Sequence, residues 1–321
     1  MTDLKHGFVH ANGVRLHYVE AGSGPLVLLC HGWPESWYSW RHQIPALAAA
    51  GFRVVAPDQR GYGQSDCPEA IAAYSIFNLV GDMVGLARAL GESSAIVVGH
   101  DWGALVAQQC ALLRPDLFRA LALLSVPFIP RSPVRPAVRY AQITQQNHFY
   151  QDYFQEPGRV ERELAEDVRK SMRGILTAGF KFNRDTMIPI VAFPKHVRFA
   201  EAVWSNVTDT LPAWLTEADL DFYAGEFTRA GFRGGINWYR NLDRNWKMTA
   251  FQDGAKVTQP AVFIAGEKDA VLTITGDAVK NQATTMPRLT GTHLIPGAGH
   301  WVQQEQPDAV NALLVEFLRG L

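Results

Sequence analysis

Val97-Val98-Gly99-His100-Asp101-Trp102-Gly103 places a carboxylate where a strand runs straight into a helix. Upstream, Ala95-Ile96-Val97-Val98 is an apolar run rich in β-branched residues; downstream, Ala104-Leu105-Val106-Ala107-Gln108 reads as a helix. Glycines 99 and 103 bracket Asp101 as G-x-D-x-G, and without side chains they let strand and helix approach closely. Such an elbow holds its central residue on a sharp turn with the reactive atom exposed, and serine is the usual occupant. An aspartate there is ionised at neutral pH and needs no base to become a nucleophile. It attacks an alkyl carbon rather than a carbonyl. The result is an alkyl ester on the protein, which water must then cleave.

The surrounding pattern repeats the strand-then-helix theme. A hairpin is predicted from Gly7 to Val9 and from Arg15 to Ala21, turned by Asn12-Gly13. Leu26 to Cys30, Arg53 to Ala56, Ala95 to Val98 and Leu121 to Ser125 are apolar runs suited to strands buried on both faces. Helical stretches lie between them, around Trp40 to Ala49, Ile76 to Leu90 and Ala104 to Leu113. The alternation resumes with Ala261 to Ala265, Thr292 to Ile295 and a closing helix from Pro307 to Leu318. This predicts an α/β protein with a mostly parallel sheet flanked by helices. From Ile129 to about Ala255 no buried-strand run occurs; the segment opens with Pro130, Pro133 and Pro136 and carries helical patterns such as Val160 to Met172. The predicted division is therefore a core of residues 1–129 and 250–321 with a helical cap, 130–249, inserted over the strand ends.

Composition narrows the partners. The chain has 321 residues and a net charge of −1, so there is no basic surplus to neutralise a nucleic acid backbone. Neither a leader nor an apolar run long enough to span a bilayer is read from the sequence, and no membrane association is expected. Cys30, Cys67 and Cys110 are isolated, which predicts a cytoplasmic setting. The histidines form no ligand-spaced set, so no metal and no cofactor is expected. Asp58-Gln59-Arg60-Gly61-Tyr62-Gly63-Gln64-Ser65 contains Gly-x-Gly, but without a third glycine or a helix start it reads as a structural loop.

An ester on Asp101 needs a base to activate water, and that base needs an orienting acid. Gly266-Glu267-Lys268-Asp269 follows the Ala261 to Ala265 strand, and Gly297-Ala298-Gly299-His300-Trp301 follows the Thr292 to Ile295 strand. Asp101, Asp269 and His300 thus stand at strand ends in the order nucleophile, acid, histidine, the order of the α/β-hydrolase fold. Taken singly, a loop aspartate caps a helix and a lone histidine is incidental; their order and placement together carry the prediction. Backbone N–H groups of Trp33, in His31-Gly32-Trp33-Pro34, and of Trp102 are placed to serve as an oxyanion hole. His100 supports the turn.

With Tyr153-Phe154-Gln155-Glu156-Pro157-Gly158, Asn237-Trp238-Tyr239-Arg240-Asn241 and Gly299-His300-Trp301 added to the two motifs above, nearly the whole chain resembles the soluble epoxide hydrolases of the α/β-hydrolase fold. The resemblance implies the same triad, and two cap tyrosines that hydrogen-bond the epoxide oxygen, here Tyr153 and Tyr239. It implies that this is the hydrolase unit alone, without the extra N-terminal phosphatase domain of some vertebrate members. A phenol stays protonated at neutral pH, its pKa being about 10, and can hand a proton to the alkoxide as the ring opens. Trp33, Trp102, Phe180, Met187 and Ile188 are the expected pocket side chains, suiting an apolar or aryl epoxide, a substrate compatible with detoxification, catabolism or lipid signalling. The expected partners are the epoxide and water, on a monomer or homodimer.

A haloalkane dehalogenase would use the same aspartate, and the Trp102 indole could hold a leaving halide. That reaction needs no proton donor, so the two tyrosines favour the epoxide. Fluoroacetate-type dehalogenases carry arginine where Trp102 stands. A non-catalytic binding module of this fold would have no use for His300 with Asp269. A serine esterase is excluded at the elbow itself.

Overall fold

Burial sorts the strands into central and edge positions, as their patterning requires. Leu26–Cys30, Ala95–His100 and Ala261–Gly266 are buried at every residue, whereas Lys5–Ala11 and Leu289–Ile295 alternate between exposed and covered positions. The uniformly buried strands lie inside the sheet and the alternating ones form its two edges. In this computed structural model, which describes residues 4–178 and 191–321, the strands in chain order are β1 Lys5–Ala11, β2 Val14–Ala21, β3 Leu26–Cys30, β4 Arg53–Pro57, β5 Ala95–His100, β6 Phe118–Leu124, β7 Asn147–Phe149, β8 Ala192–Pro194, β9 Ala261–Gly266 and β10 Leu289–Ile295. Eight of them form one sheet in the order β1-β2-β4-β3-β5-β6-β9-β10. β2 pairs antiparallel with both β1 and β4; the pairs from β4 through β10 are parallel.

Successive residues of a strand point to opposite faces, and each face has its own helices. Val97 faces a cluster with Met83 and Leu86 of the helix Ile76–Ala89 and Val106 and Cys110 of the helix Trp102–Leu113. Ile96 and Val98 face Ile44 and Leu47 of the helix Gln43–Ala49, with Leu314 and Phe317 of the helix Pro307–Arg319. The predicted Val160 to Met172 helix is two helices, Arg159–Ala165 and Val168–Ala178. Asp167 separates them, its Oδ1 accepting the Lys170 N–H at 2.9 Å as a helix cap. The cap also holds the short antiparallel pair β7–β8, absent from the sequence reading because three residues are too few to establish a period.

The Asp58 to Ser65 loop is built around a buried carboxylate. Asp58 accepts N–H bonds from Trp37 and Gln64 and lies 2.7 Å from His17 Nδ1, while Arg60 pairs with Asp82 at 2.6 Å. These contacts tie β2, β4 and the helix Ile76–Ala89 together. Among the described residues no helix is long and apolar enough to cross a membrane.

Candidate active site

Asp101 occupies the turn between β5 and the helix Trp102–Leu113 with φ 52° and ψ −118°. A non-glycine residue in that region stores of order 1–3 kcal/mol, which the surrounding packing must hold. A Cβ on Gly99 would collide with the Gly103 carbonyl, and one on Gly103 with the Cys30 carbonyl. The G-x-D-x-G spacing is thus steric: only bare glycines let the helix start this close to β3 and β5. Asp101 Oδ1 accepts the Trp33 N–H at 2.8 Å. The Trp102 N–H lies in the first turn of its helix, where backbone donors lack an intrahelical acceptor.

Asp269 and His300 stand beyond β9 and β10. Asp269 caps the helix Ala270–Ile274, Oδ1 accepting the Val271 N–H at 2.9 Å, and its Oδ2 lies 3.0 Å from His300 Nδ1. Capping and base orientation are therefore done by the two oxygens of one carboxylate. His300 Nε2 lies 3.6 Å from Asp101 Oδ2, and of the three side chains only Asp101 retains exposure, 14%. Burial would lower the His300 pKa, but the charges and hydrogen bonds of Asp269 and Asp101 outweigh it and hold it at about 10. Burial likewise opposes the Asp101 charge, yet His300, His100 and the Trp33 amide bring its carboxyl below the usual range.

Glu35, which sequence reasoning missed, organises this rim from beneath. It is fully buried, and Oε2 accepts the Gly32 N–H and lies within 2.9 Å of His100 Nδ1, while Oε1 accepts from the amides of Gln303 and Gln304. His100 Nε2 then reaches the His300 carbonyl at 2.7 Å, and the Ser125 hydroxyl donates to the same oxygen. Although burial disfavours its charge, His100 and the Gly32 amide hold the Glu35 carboxyl below its ordinary range. The only sequence signal is a carboxylate directly after His31-Gly32-Trp33-Pro34; the burial of its neighbours is visible only in the structure.

In the cap, the two expected tyrosines have different surroundings: the Tyr153 hydroxyl is bonded within the cap, and Tyr239 lies beside Tyr150 rather than Tyr153. The Tyr153 hydroxyl donates to Glu163 at 2.6 Å, its ring carries the Arg159 guanidinium at 3.9 Å, and burial followed by Glu163 pushes its pKa up to about 12. All of these polar contacts are internal to the cap. Tyr150, three residues earlier, packs edge-on against Tyr239 at 5.7 Å. After burial, the Asp101 carboxylate is the next cause raising the Tyr150 pKa, and it also acts on Tyr239 after burial and Tyr150. Tyr239 in turn packs edge-on against Trp102, the residue after Asp101, at 5.0 Å. Tyr150 and Phe154 are four apart and share a helical face against Tyr239, a spacing that could have singled out Tyr150.

The quoted cap motifs themselves are mostly clamps. Gln155 Nε2 donates to the Gln151 and Tyr239 carbonyls, and Arg240 donates to the Phe154 and Glu156 carbonyls while pairing with Glu161. They fasten the helix Tyr150–Tyr153 to the helix Arg233–Arg240, and so fix the two phenols relative to each other. Trp33 and Trp102, expected in the pocket, both pack edge-on against Tyr239, at 5.9 and 5.0 Å. Phe180, Met187 and Ile188 lie outside the described residues. Among the described residues no cluster of three or more His, Cys, Asp or Glu could hold a metal ion.

Comparison with known proteins places the chain in a family. Residues 25–183 match the family model of the alpha/beta hydrolase fold, which defines the class of the protein. The chain is 48% identical to epoxide hydrolase A of Mycobacterium tuberculosis over 98% of this chain and 97% of that protein. The structure of an epoxide hydrolase from an endophytic Streptomyces superposes with a TM-score of 0.95 at 48% identity, covering 99% and 96% of the two chains. Epoxide hydrolase A from Mycobacterium thermoresistibile gives 0.93 at 47% identity, covering 99% of each. The chain belongs to the epoxide hydrolases of the α/β-hydrolase fold.

Proposed function

We propose that the protein converts an apolar or aryl epoxide and water into a vicinal diol, with Asp101 as nucleophile. Asp101 attacks a ring carbon from behind, forming an ester bond to that carbon while the C–O pair leaves with the ring oxygen. Tyr150 and Tyr239 hydrogen-bond that oxygen, and one of them gives it a proton. Esterification erases the Asp101 charge, and with it part of what held a proton on His300 at a pKa of about 10. That proton is released and restores the phenol. Neutral His300, oriented by Asp269, then takes a proton from water as the hydroxide adds to the ester carbonyl. The Trp33 and Trp102 amides hold the resulting oxyanion. Collapse frees the diol and returns Asp101 as a carboxylate beside protonated His300, so protons balance over the cycle.

The observation that carries the reading is the Asp101 carboxylate set between the Trp33 amide at 2.8 Å and His300 at 3.6 Å, with the buried phenols of Tyr239 and Tyr150 packed against each other and Tyr239 against Trp102, the residue after Asp101. The test is the intact mass of the His300→Gln variant after exposure to styrene oxide. An adduct equal to the whole epoxide, lost when Asp101→Ala is added, is expected. No adduct, or one that survives Asp101→Ala, overturns the assignment. We place the enzyme in the cytoplasm as a monomer or homodimer; free Cys30, Cys67 and Cys110 support a reducing compartment.

A further inference from the structure

The Tyr150 hydroxyl already has a partner. Gln151 Nε2 donates to the Tyr150 hydroxyl oxygen at 2.8 Å, and Gln151 Oε1 accepts from the Tyr140 hydroxyl at 2.9 Å. Tyr140, on the helix Pro136–Ile143, is 5% exposed, and its ring packs on Phe149, which packs in turn on Tyr150. The two phenols therefore flank one amide, and its orientation decides what each can do.

A phenol has one proton to give, whereas an amide has an oxygen that only accepts and an NH2 that only donates. With the proton of Tyr140 committed to Oε1, the NH2 faces Tyr150. Tyr150 is then the acceptor in that bond, and its own proton is directed to an oxygen other than that of Gln151. With the amide reversed, Tyr150 would give its proton to Oε1 and have none for substrate. We propose that Gln151, locked by Tyr140, is a positioning residue that keeps Tyr150 a hydrogen-bond donor toward the epoxide oxygen and holds the phenolate formed when the proton leaves. The inference rests on the reading of Tyr150 as a proton donor. The Gln151 bond also works in the required direction on acidity, pulling Tyr150 down against the larger effects of burial and Asp101, which push it up.

An isosteric change separates polarity from packing. Gln151→Glu keeps the shape but puts an ionised acceptor beside both phenols, so it competes for the Tyr150 proton. In the His300→Gln background, the rate at which the styrene oxide adduct accumulates should fall about tenfold or more for Gln151→Glu, the size of one hydrogen bond to a charged group. The rate should recover as the pH is lowered, because the introduced carboxyl, once protonated, can again donate to Tyr150. Tyr140→Phe, which unlocks the amide, should slow the same step by a smaller factor. With His300 intact, hydrolysis of the preformed ester should be unchanged. Adduct formation at the parental rate in Gln151→Glu, or a loss that ignores pH and slows both steps alike, overturns the proposal. Tyr150→Phe run alongside tells the two readings apart. If it alkylates slowly while Gln151→Glu is normal, only the Gln151 inference fails; if it alkylates normally, the reading of Tyr150 fails and takes the inference with it.

Discussion

The two halves of the site are held by different means. Asp101, Asp269 and His300 project from loops directly after β5, β9 and β10, so the sheet's hydrogen-bond register sets their spacing. Tyr150 and Tyr239 sit on short cap helices whose relative position depends on side chains, chiefly Gln155 and Arg240, bonding to the opposite element's backbone. Charge is made and used on the sheet side, where carboxylates surround one histidine. On the cap side the proposed proton donors are neutral, and burial keeps them so by raising both phenols. The division is chemically sensible: a nucleophile and base need fixed mutual geometry throughout the cycle, whereas a proton donor acts only while the ring opens.

The comparison breaks most completely if the sheet side proves dispensable. Asp101→Ala is expected to remove all turnover and all adduct, because it removes the carboxylate to which the ester would form; measurable turnover in that variant would refute the division. Next in size is the cap. Tyr150→Phe with Tyr239→Phe should slow adduct formation by about 10²–10⁴, the range of positioned acid catalysis, while ester hydrolysis stays near the parental rate. Stopped-flow alkylation beside single-turnover hydrolysis reads both, and an equal loss in the two steps would show that the phenols also serve the sheet-side chemistry.

The same contrast explains what the sequence discloses. The triad is legible because strand ends in an α/β sheet converge on one rim, so chain order and flanking glycines suffice to bring Asp101, Asp269 and His300 together. Central and edge strands are legible as well, from continuous against alternating burial. Tyr153 and Tyr150 are not separable in this way: both are aromatic, three apart in one short helix, and both buried. Beyond the four-residue spacing of Tyr150 and Phe154, what distinguishes them is Glu163, ten residues downstream on the next helix, which captures the Tyr153 hydroxyl, and no local pattern encodes that contact. Glu35 was missed for the opposite reason. Its importance comes from converging loops distant in sequence, with partners as far away as Gln304.

A third prediction tests the charge logic of the sheet side. A histidine held at about 10 is protonated in the free enzyme, so it adds stability in full below the ordinary histidine value of about 6.5 and loses that contribution as the pH rises through about 10. The wild-type Tm should accordingly fall more than that of His300→Gln between neutral pH and about pH 10. In the ester, with Asp101 neutralised, His300 should titrate lower. Single-turnover hydrolysis should therefore rise with pH and level off well below the free-enzyme value. A hydrolysis profile that still climbs to about pH 10 would mean that esterification does not release the His300 proton.

The smallest effect on activity belongs to Tyr153, and it sharpens the contrast between the two neighbouring phenols. Its hydroxyl is spent on Glu163, whose other oxygen accepts the Ala200 N–H at 3.2 Å, so the bond joins the helices Tyr150–Tyr153, Arg159–Ala165 and Phe199–Trp204. Removing the hydroxyl leaves a buried carboxylate oxygen short of a donor, which costs about 1–3 kcal/mol in stability. Nothing in that bond touches Asp101. Tyr153→Phe should consequently lower the denaturant midpoint while leaving alkylation within a few-fold of the parent, whereas Tyr150→Phe should do the reverse. If Tyr153→Phe instead slows alkylation as much as Tyr150→Phe does, the proposal of Tyr150 in place of Tyr153 is wrong. The Glu163 bond would then have to be broken and remade during each ring opening.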